Sequence, residues 1–237
     1  MCKAIVLSET TSTNDYLKKI SGDCESWTYV VSRKQTNGRG TKGRSFISRE
    51  GGLYMSVLLR PDKSRLQTLT CMAAVAVKRA IKAVVSKDVG IKWINDLYFD
   101  GKKICGILTE TITTDSEIRS VVGIGVNVFY PDGGFGEYER IAGALSCDKK
   151  DENVIETLAK SIVENMRTLY RLGRDEYMAE YSASMMFVGE RVNLNIGGVT
   201  EEVTVLGVDD MGRLIAEKHS GEQLITDNGE IKCIART

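Results

Sequence analysis

The pattern of apolar residues changes at about residue 188, and this change limits the folds open to the chain. Before that point, helical stripes alternate with short β-rich runs, whereas after it only short β-type segments recur between glycine- and aspartate-containing turns. The later segments are Arg191–Asn195, Glu202–Val208, Leu214–Glu217, Gln223–Thr226 and Ile231–Ala235. We therefore predict two domains: an α+β domain over residues 1–187 and a small β-barrel over residues 188–237.

The first part has the signals of a mixed β-sheet with flanking helices. Apolar residues recur at helical spacing over Arg65–Val85, and again over residues 155–169. Ser12 is a predicted helix cap, because an acid, Asp15, follows it three residues later. The predicted strands of this part are Trp27–Ser32, Leu53–Leu59, Val89–Trp93, Leu97–Phe99, Ile104–Thr109 and Arg119–Val128.

Composition argues against several classes of protein. Lys+Arg and Asp+Glu are both 32, so the net charge is zero, unlike that of a protein acting mainly on nucleic-acid phosphates. The six cysteines are scattered without a C-x-x-C pair, which favours reduced thiols over disulfides or zinc. The apolar runs Ala4–Leu7 and Cys71–Val77 are too short for a signal peptide or a membrane span. We expect a soluble, cytoplasmic protein without a membrane partner.

His219 is the only histidine, and it lies in a polar segment that is typical of a turn between strands. A hydrolase with a Ser-His or Cys-His pair would have to use this residue, and no nucleophile elbow accompanies it. We interpret His219 as a solvated turn residue and expect chemistry without a histidine base.

A glycine-rich segment, QTNGRGTKGRSF, contains Gly-x-Gly-x-x-Gly at Gly38, Gly40 and Gly43. No helix signal begins at the third glycine, as a dinucleotide fingerprint requires, and kinase and Walker motifs are absent. Glycines still allow the backbone to turn several N–H groups toward one anion. Arg39 and Arg44 add guanidinium groups that suit carboxylate or phosphate. The segment therefore predicts an anion-binding loop, with an exposed basic turn as the alternative.

A second segment, IKWINDLYFDGKKICGI, places Asn95, Asp96 and Lys103 around a hairpin predicted at Asp100-Gly101. The Asn-Asp pair offers oxygens to Mg²⁺ or to an incoming amine. Lys103 opens the second strand, so its charge has a fixed place from which to stabilise a developing anion. A charged hairpin at a sheet edge is the alternative interpretation.

The strand VVGIGVNV carries Gly123 and Gly125 among apolar neighbours. Glycine inside a buried strand indicates close approach by a ligand or by backbone, although packing alone explains it equally well.

Together with Ser12-Thr13-Asn14, these segments resemble the biotin–protein ligases of the bacterial biotin-[acetyl-CoA-carboxylase] ligase family. That family's signature reads close to Gly-Arg-Gly-Arg-x-Gly-Arg, Lys-Trp-Pro-Asn-Asp, Lys-x-x-Gly-Ile-Leu and Gly-x-Gly-x-Asn. This chain has GRGTKGR, KWIND, KICGIL and GIGVN in the same order. The resemblance begins at about Val6. It implies a catalytic domain related to class II aminoacyl-tRNA synthetases, followed by a small SH3-like C-terminal barrel.

The resemblance also implies an activity. The family joins biotin to ATP, giving biotinyl-5′-AMP and pyrophosphate, and then transfers biotin to a lysine of a biotin carboxyl carrier domain, such as that of acetyl-CoA carboxylase. ATP and Mg²⁺ are the implied cofactors. The Ser-Thr-Asn motif begins at residue 12, so we expect a stand-alone form without an N-terminal DNA-binding domain and without a DNA partner. A homodimer is possible.

Site residues follow from the matched motifs. The implied biotin-binding residues are Ser12, Thr13, Gln35, Gly38, Arg39, Lys103, Gly106, Ile107 and Gly123, with Gly125 shaping the same slot. The implied ATP-binding residues are Arg44, Phe46, Asn95, Lys103 and Asn127. The implied catalytic residues are Lys103, Arg39 and Asp96. Lys103 would bridge the biotin carboxylate and the α-phosphate, Arg39 would cover the adenylate, and Asp96 would serve Mg²⁺ or the acceptor lysine.

The chain departs from the family pattern at three positions. Thr41 replaces a usual arginine, so we hypothesise that the loop clamps the adenylate less tightly, unless neighbouring Lys42 compensates. Ile94 replaces a usual proline, and Phe46 stands where tryptophan is usual.

Two other functions compete with this prediction. A lipoate–protein ligase or octanoyltransferase shares the fold, but the Gly-Arg-Gly loop with Lys-Trp-x-Asn-Asp favours biotin. A non-catalytic biotin-binding module would keep the pocket but lose Lys103 or Asp96, and both are present.

Overall fold

The computed structural model of the protein describes residues 3–146 and 151–233. The elements of the first part are β1 (Ala4–Leu7), α1 (Thr13–Ile20), β2 (Tyr29–Ser32), β3 (Leu53–Leu59), α2 (Leu69–Val85), β4 (Gly90–Lys92), β5 (Asp96–Phe99), β6 (Lys102–Thr113), β7 (Ile118–Val126), α3 (Glu152–Leu172) and α4 (Arg174–Ala183). Short 3-10 helices cover Thr41–Gly43, Lys63–Thr68 and Gly136–Tyr138. The elements of the second part are β8 (Arg191–Ile196), β9 (Val199–Val208), β10 (Leu214–Lys218), β11 (Gln223–Thr226) and β12 (Glu230–Cys233).

The first seven strands form one mixed sheet in the order β1-β2-β3-β7-β6-β5-β4. Only β1 and β2 pair in parallel, and the other neighbours are antiparallel. Successive residues of a strand point to opposite faces. Leu58 accordingly packs with α1, whereas Val57 belongs to the larger core that includes α2 and α3. Helices cover both faces, which confirms the predicted mixed sheet with flanking helices.

The central strand β3 has every residue buried, because it lies under helices on both sides. Strand β7 pairs with it along its whole length and carries the two buried-strand glycines. Val121 of β7 packs with Leu17, so its side chain points to the face of the sheet that α1 covers. Gly123 and Gly125 follow at two-residue steps, so both lie on the same side of the sheet as α1.

Two elements were not predicted from the sequence. Strand β1 is short, and its residues are only half-buried or exposed. Helix α4 begins directly after Gly173, beyond the helical spacing that was recognised over residues 155–169. Its buried residues Tyr177, Met178 and Tyr181 have helical spacing, but they cover only about one turn.

The second part is a five-stranded antiparallel sheet in the order β11-β10-β9-β8-β12. All five predicted strands are present, although Ala235 lies outside the described residues. No ladder joins β11 to β12 within the part of the chain that the structure describes, so the sheet is consistent with an SH3-like fold without a fully closed barrel. The indole Nε1 of Trp93 donates to the Gly212 carbonyl, 2.9 Å away, and links this sheet to the first part.

Other predictions can be compared with the structure directly. His219 is exposed in a turn, as predicted. Cys24, Cys71 and Cys105 are free thiols, and burial raises the pKa of Cys71 to about 12. The predictions for Cys2 and Cys147 lie outside the described residues. None of the described helices is both long and apolar enough to cross a membrane.

Candidate active site

A cavity of about 690 Å³ brings the sequence motifs together. It is lined by the start of α1, the glycine loop, the turn between β4 and β5, the middle of β6 and β7, and the turn before β12. The predicted residues on its wall are Ser12, Thr13, Gln35, Arg39, Arg44, Phe46, Asn95, Asp96, Lys103, Gly106, Ile107, Gly123, Gly125 and Asn127. The four motifs therefore form one site.

One wall is polar and tied together by hydrogen bonds. The backbone N–H and the hydroxyl of Thr13 both donate to Oε1 of Gln35, at 2.8 and 3.1 Å. The Gln35 amide in turn donates to the hydroxyl of Ser48, at 2.8 Å. Ser12 is the cap of α1, and its side chain accepts from the backbone N–H of Asp15. The orientation of this wall is thus fixed before any ligand enters.

Gly123 has no side chain because Asn14 occupies that space. A Cβ atom at Gly123 would overlap the carboxamide of Asn14. The Asn14 Oδ1 accepts from the Ser56 hydroxyl at 2.6 Å, and its Nδ2 donates to the Leu108 carbonyl at 3.2 Å. Gly123 therefore supports the polar wall by packing rather than by exposing backbone to a ligand.

Gly106 and Gly125 pair directly across β6 and β7 and form a side-chain-free floor. The ring of Phe46 rests on this floor. A Cβ atom at Gly125 would lie 2.6 Å from Phe46 Cε1, and one at Gly106 would lie 3.1 Å from Phe46 Cε2. The glycine loop thus reaches across the cavity and places an aromatic ring against the sheet.

Lys103 and Asp96 form an ion pair at one end of the cavity, with Nζ 2.6 Å from Oδ1. Both side chains are largely buried, at 31% and 20% exposure. Backbone bonds fix the base of Lys103: its N–H donates to the Ile141 carbonyl at 2.8 Å, and its carbonyl accepts from Gly143 at 2.9 Å. Apart from the Lys103 ammonium, Asp96 Oδ1 has no hydrogen-bond partner among the described residues.

Asn95 and Asn127 use their amide groups to hold the protein together. Asn95 Nδ2 donates to the Ile107 carbonyl at 2.8 Å, and Asn127 Nδ2 donates to the Gly143 carbonyl at 2.9 Å. The second bond fixes the segment that flanks Lys103. Contact of either residue with a nucleotide stays a prediction.

The two predicted arginines of the glycine loop pair with acids in different parts of the molecule. Arg39 Nη2 lies 2.5 Å from Asp15 and 3.2 Å from Glu110, and its Nε is buried without a hydrogen-bond partner among the described residues. Arg44 lies 2.9 Å from Glu230, at the start of β12. Burial opposes ionisation of Glu230, but the Arg44 guanidinium outweighs it and holds the Glu230 pKa below its usual value.

Gly38 is not among the residues that line the cavity. A Cβ atom there would overlap the Phe46 carbonyl and the Ser48 hydroxyl, so the structure explains this glycine by packing of the loop. Thr41 and Lys42 do line the cavity, within a short turn where Lys42 has φ 57°. The Trp93–Ile94 peptide bond is cis, and the Ile94 carbonyl accepts from the buried hydroxyl of Tyr181 at 3.0 Å.

Several lining residues were missed by sequence reasoning. They are Trp93, Phe135, Tyr138, Arg140, Ile141, Ala142 and the turn of residues 227–232. Trp93 lies inside a quoted motif, and its buried position could have been inferred from its size. The others carry no motif, because they reach the cavity only through tertiary packing.

Asp96 is the residue that would bind the implied magnesium ion. The described residues contain no cluster of three or more His, Cys, Asp or Glu side chains arranged to hold a metal. Mg²⁺, however, commonly binds through one or two carboxylates and the phosphates of a substrate. Asp96 fits as such a single ligand, because a carboxylate has about four lone-pair sites and can accept from Lys103 and a metal ion at once.

Comparison with known proteins identifies the family of the chain. A model described as the biotin/lipoate A/B protein ligase family matches residues 6–127. The bifunctional ligase/repressor BirA of Bacillus spizizenii is 35% identical over 229 residues, covering 91% of this chain and 69% of that protein. The biotin–[acetyl-CoA-carboxylase] ligase of Paracoccus denitrificans is 28% identical over 231 residues, covering 93% and 96%.

The fold is also found among solved structures. Biotin protein ligase from Aquifex aeolicus in complex with biotin and ATP aligns with a TM-score of 0.82 at 28% identity, over 99% of this chain and 100% of that one. The matched sequence, fold and motif-lined cavity lead to one conclusion: this chain belongs to the biotin/lipoate A/B protein ligase family.

Proposed function

We propose that this chain is an ATP-dependent biotin–protein ligase of the biotin-[acetyl-CoA-carboxylase] ligase type. Its first reaction joins the carboxylate of biotin to the α-phosphate of ATP, releasing pyrophosphate. Its second transfers the biotinyl group from the resulting biotinyl-5′-AMP to a lysine of a carrier domain, releasing AMP. The relatives named above include a biotin–[acetyl-CoA-carboxylase] ligase and a structure with biotin and ATP bound.

One observation carries this proposal. A single cavity has a preorganised polar wall at Thr13 and Gln35 and a lysine ion pair at Lys103 and Asp96. The polar wall offers hydrogen-bonding groups to the ureido ring of biotin. The lysine is our candidate for the positive charge that the carboxylate and the α-phosphate need when they react.

The chemistry suits such a site because it depends on charge and alignment more than on a strong base. A carboxylate attacking a phosphate brings two negative groups together, so a fixed cation lowers the barrier. We assign this role to Lys103, whose base is fixed by the backbone bonds to Ile141 and Gly143. Exclusion of water by a closed loop would protect the mixed anhydride from hydrolysis.

Asp96 has three proposed tasks. It holds the Lys103 ammonium in place, and it is the one proposed protein ligand for Mg²⁺ carried by the ATP phosphates. Magnesium would supply additional neutralisation of phosphate charge. Asp96 also lies where it can orient the incoming lysine amine of the acceptor.

The direct test is ATP-dependent transfer of labelled biotin to a purified carrier domain. We expect label on the carrier lysine only when ATP is present. Pyrophosphate exchange, measured once with biotin and once with lipoate, distinguishes a biotin–protein ligase from a lipoate–protein ligase. Exchange with lipoate but not with biotin would contradict the proposal.

Four further statements remain predictions: the boundary between residues 187 and 188, the cytoplasmic location, the absence of a DNA partner and a possible homodimer. The acceptor is proposed at the level of a biotin carboxyl carrier domain. A pull-down with such a domain would test it.

A further inference from the structure

Arg39 is enclosed by side chains that lie far from it in the sequence. Its Nη2 contacts Asp15 on α1 at 2.5 Å and both carboxylate oxygens of Glu110 on β6, at 3.2 and 3.3 Å. Lys18 contacts the same two acids, at 3.0 and 2.9 Å. This cluster of Asp15, Lys18, Arg39 and Glu110 contains two acids and two bases, so its charges balance.

Glu110 connects the cluster to the polar wall of the cavity. Asn14 Nδ2 donates to Glu110 Oε2 at 2.7 Å, and Asn14 Oδ1 accepts from the hydroxyl of Ser56. Burial opposes ionisation of Glu110, but the bonds from Lys18 and Asn14 and the charge of Arg39 outweigh it, so its pKa lies below the usual value. Glu110 is therefore charged at neutral pH and engaged through both oxygens.

The other end of the glycine loop is fastened separately. Gln35 bonds both Thr13 and Ser48, and the Ser48 hydroxyl donates to the Phe46 carbonyl at 3.0 Å. Between these points, Arg39 pairs with Ser45 as an isolated β-bridge. The turn of residues 40–44 is consequently held by the residues that flank it. Among these flanking residues, Arg39 carries the charge.

We propose that Arg39 acts in the reaction as the anchor of the glycine loop and that Glu110 is the positioning residue that fixes this anchor. This inference rests on the proposed ligase function. Neither Asp15 nor Glu110 is among the residues lining the cavity, so they act through Arg39 rather than on substrate. An arginine that belongs to a cluster with balanced charges has little net attraction left for a phosphate.

The competing role for Arg39 is direct contact with the adenylate, for which its buried Nε is an open donor. A double-mutant cycle with Arg39→Gln and Glu110→Gln separates the two roles. If Arg39 acts through Glu110, each single variant should raise the dissociation rate of biotinyl-5′-AMP by about tenfold, as expected for lost charge-assisted hydrogen bonds. The double variant should then be no worse than the more severe single variant. Multiplying effects would overturn the proposal.

Limited digestion by trypsin gives a readout that needs neither biotin nor ATP. Cleavage after Lys42 or Arg44 should be faster in Glu110→Gln than in the wild type, because the base of the loop is released. Glu117→Gln is the matched control: Glu117 also binds two arginines, Arg60 and Arg119, but it lies in the turn between β6 and β7. Equal cleavage of the two variants would overturn the anchor.

A second variant covers the possibility that Glu110→Gln folds poorly. Asp15→Asn removes one ion pair of Arg39 and leaves the Asn14–Glu110 bond intact. It should accelerate cleavage and adenylate release in the same direction, and unchanged values for both would overturn the anchor. If no adenylate forms in the wild type, the proposed function fails, whereas the digestion result still decides whether Arg39 anchors the loop.

Discussion

The ammonium of Lys103 lies 2.6 Å from the carboxylate of Asp96, on the neighbouring antiparallel strands β6 and β5. Both residues line the cavity, so the ammonium is presented to whatever binds there. A cation held in this way needs no rearrangement when negative charge develops beside it, which is the condition for effective electrostatic stabilisation.

Removal of the Lys103 ammonium should therefore stop the first reaction. We expect Lys103→Ala to lower the rate of adenylate formation by about a hundredfold or more, the effect typical of losing one group that stabilises a transition-state anion. Pyrophosphate exchange with biotin measures it. Lys102→Ala is the control, since Lys102 is exposed and its ammonium donates to the Glu139 carbonyl at 3.2 Å. Turnover retained in Lys103→Ala would remove this residue from the catalytic role.

A substitution at Thr41 tests how tightly the glycine loop retains biotinyl-5′-AMP. Thr41→Arg adds a guanidinium at the tip of the glycine loop, which lines the cavity. A new charge-assisted hydrogen bond is worth about 1.5–3 kcal/mol, so release of biotinyl-5′-AMP should slow by roughly tenfold or more. Stopped-flow measurement of adenylate release is the assay. Thr36→Arg, at an exposed loop position outside the cavity, should have no such effect. No slowing in Thr41→Arg would count against the hypothesis.

Gly123 should not tolerate a side chain. A Cβ atom there overlaps Asn14, so Gly123→Ala must displace the start of α1 and the polar wall. We expect a loss of about 1–3 kcal/mol in the free energy of unfolding, as is common for overpacking, and a raised KM for biotin. Gly22→Ala is the control, because its Cβ would meet only Arg119 at an ordinary 3.4 Å. Equal stability of the two variants would show that Asn14 can move aside.

The Arg44–Glu230 pair predicts a pH-dependent link between the loop and the C-terminal sheet. The folded-state pKa of Glu230 is below its unfolded value of about 4.3, so the pair stabilises the protein above that pH and loses its effect as pH falls through the folded pKa. Glu230→Gln should lower the free energy of unfolding at pH 7 by less than about 1 kcal/mol, since the pair is partly exposed.

Urea unfolding of the wild type and Glu230→Gln between pH 7 and pH 3 measures this link. The difference between the two proteins should shrink on acidification. Glu222→Gln provides a comparison, because the Lys218–Glu222 pair lies wholly within the second sheet. A difference for Glu230→Gln that grows as the pH falls would contradict the assigned sign.

Local rules were sufficient wherever the residues themselves decide the structure. The cap at Ser12 and the strand Leu53–Leu59 were predicted with the bounds that are observed. Helix α4 was missed because its buried residues, Tyr177, Met178 and Tyr181, cover only about one helical turn. Contacts with distant residues, such as the bond from Tyr181 to the Ile94 carbonyl, hold this helix in place and are not visible in the sequence.

The sequence by itself determined most of the strands and helices, the family signature and the motif residues that meet in the cavity, because periodicity, turn chemistry and motifs are local properties. Only the tertiary structure decided what those residues touch. It directs Arg39 to Asp15 and Glu110, fills the spaces beside Gly123 and Gly125 with Asn14 and Phe46, and brings Glu230 to Arg44. The partners of a charged side chain and the neighbours of a glycine are set by how separate segments pack, and packing depends on the whole chain at once.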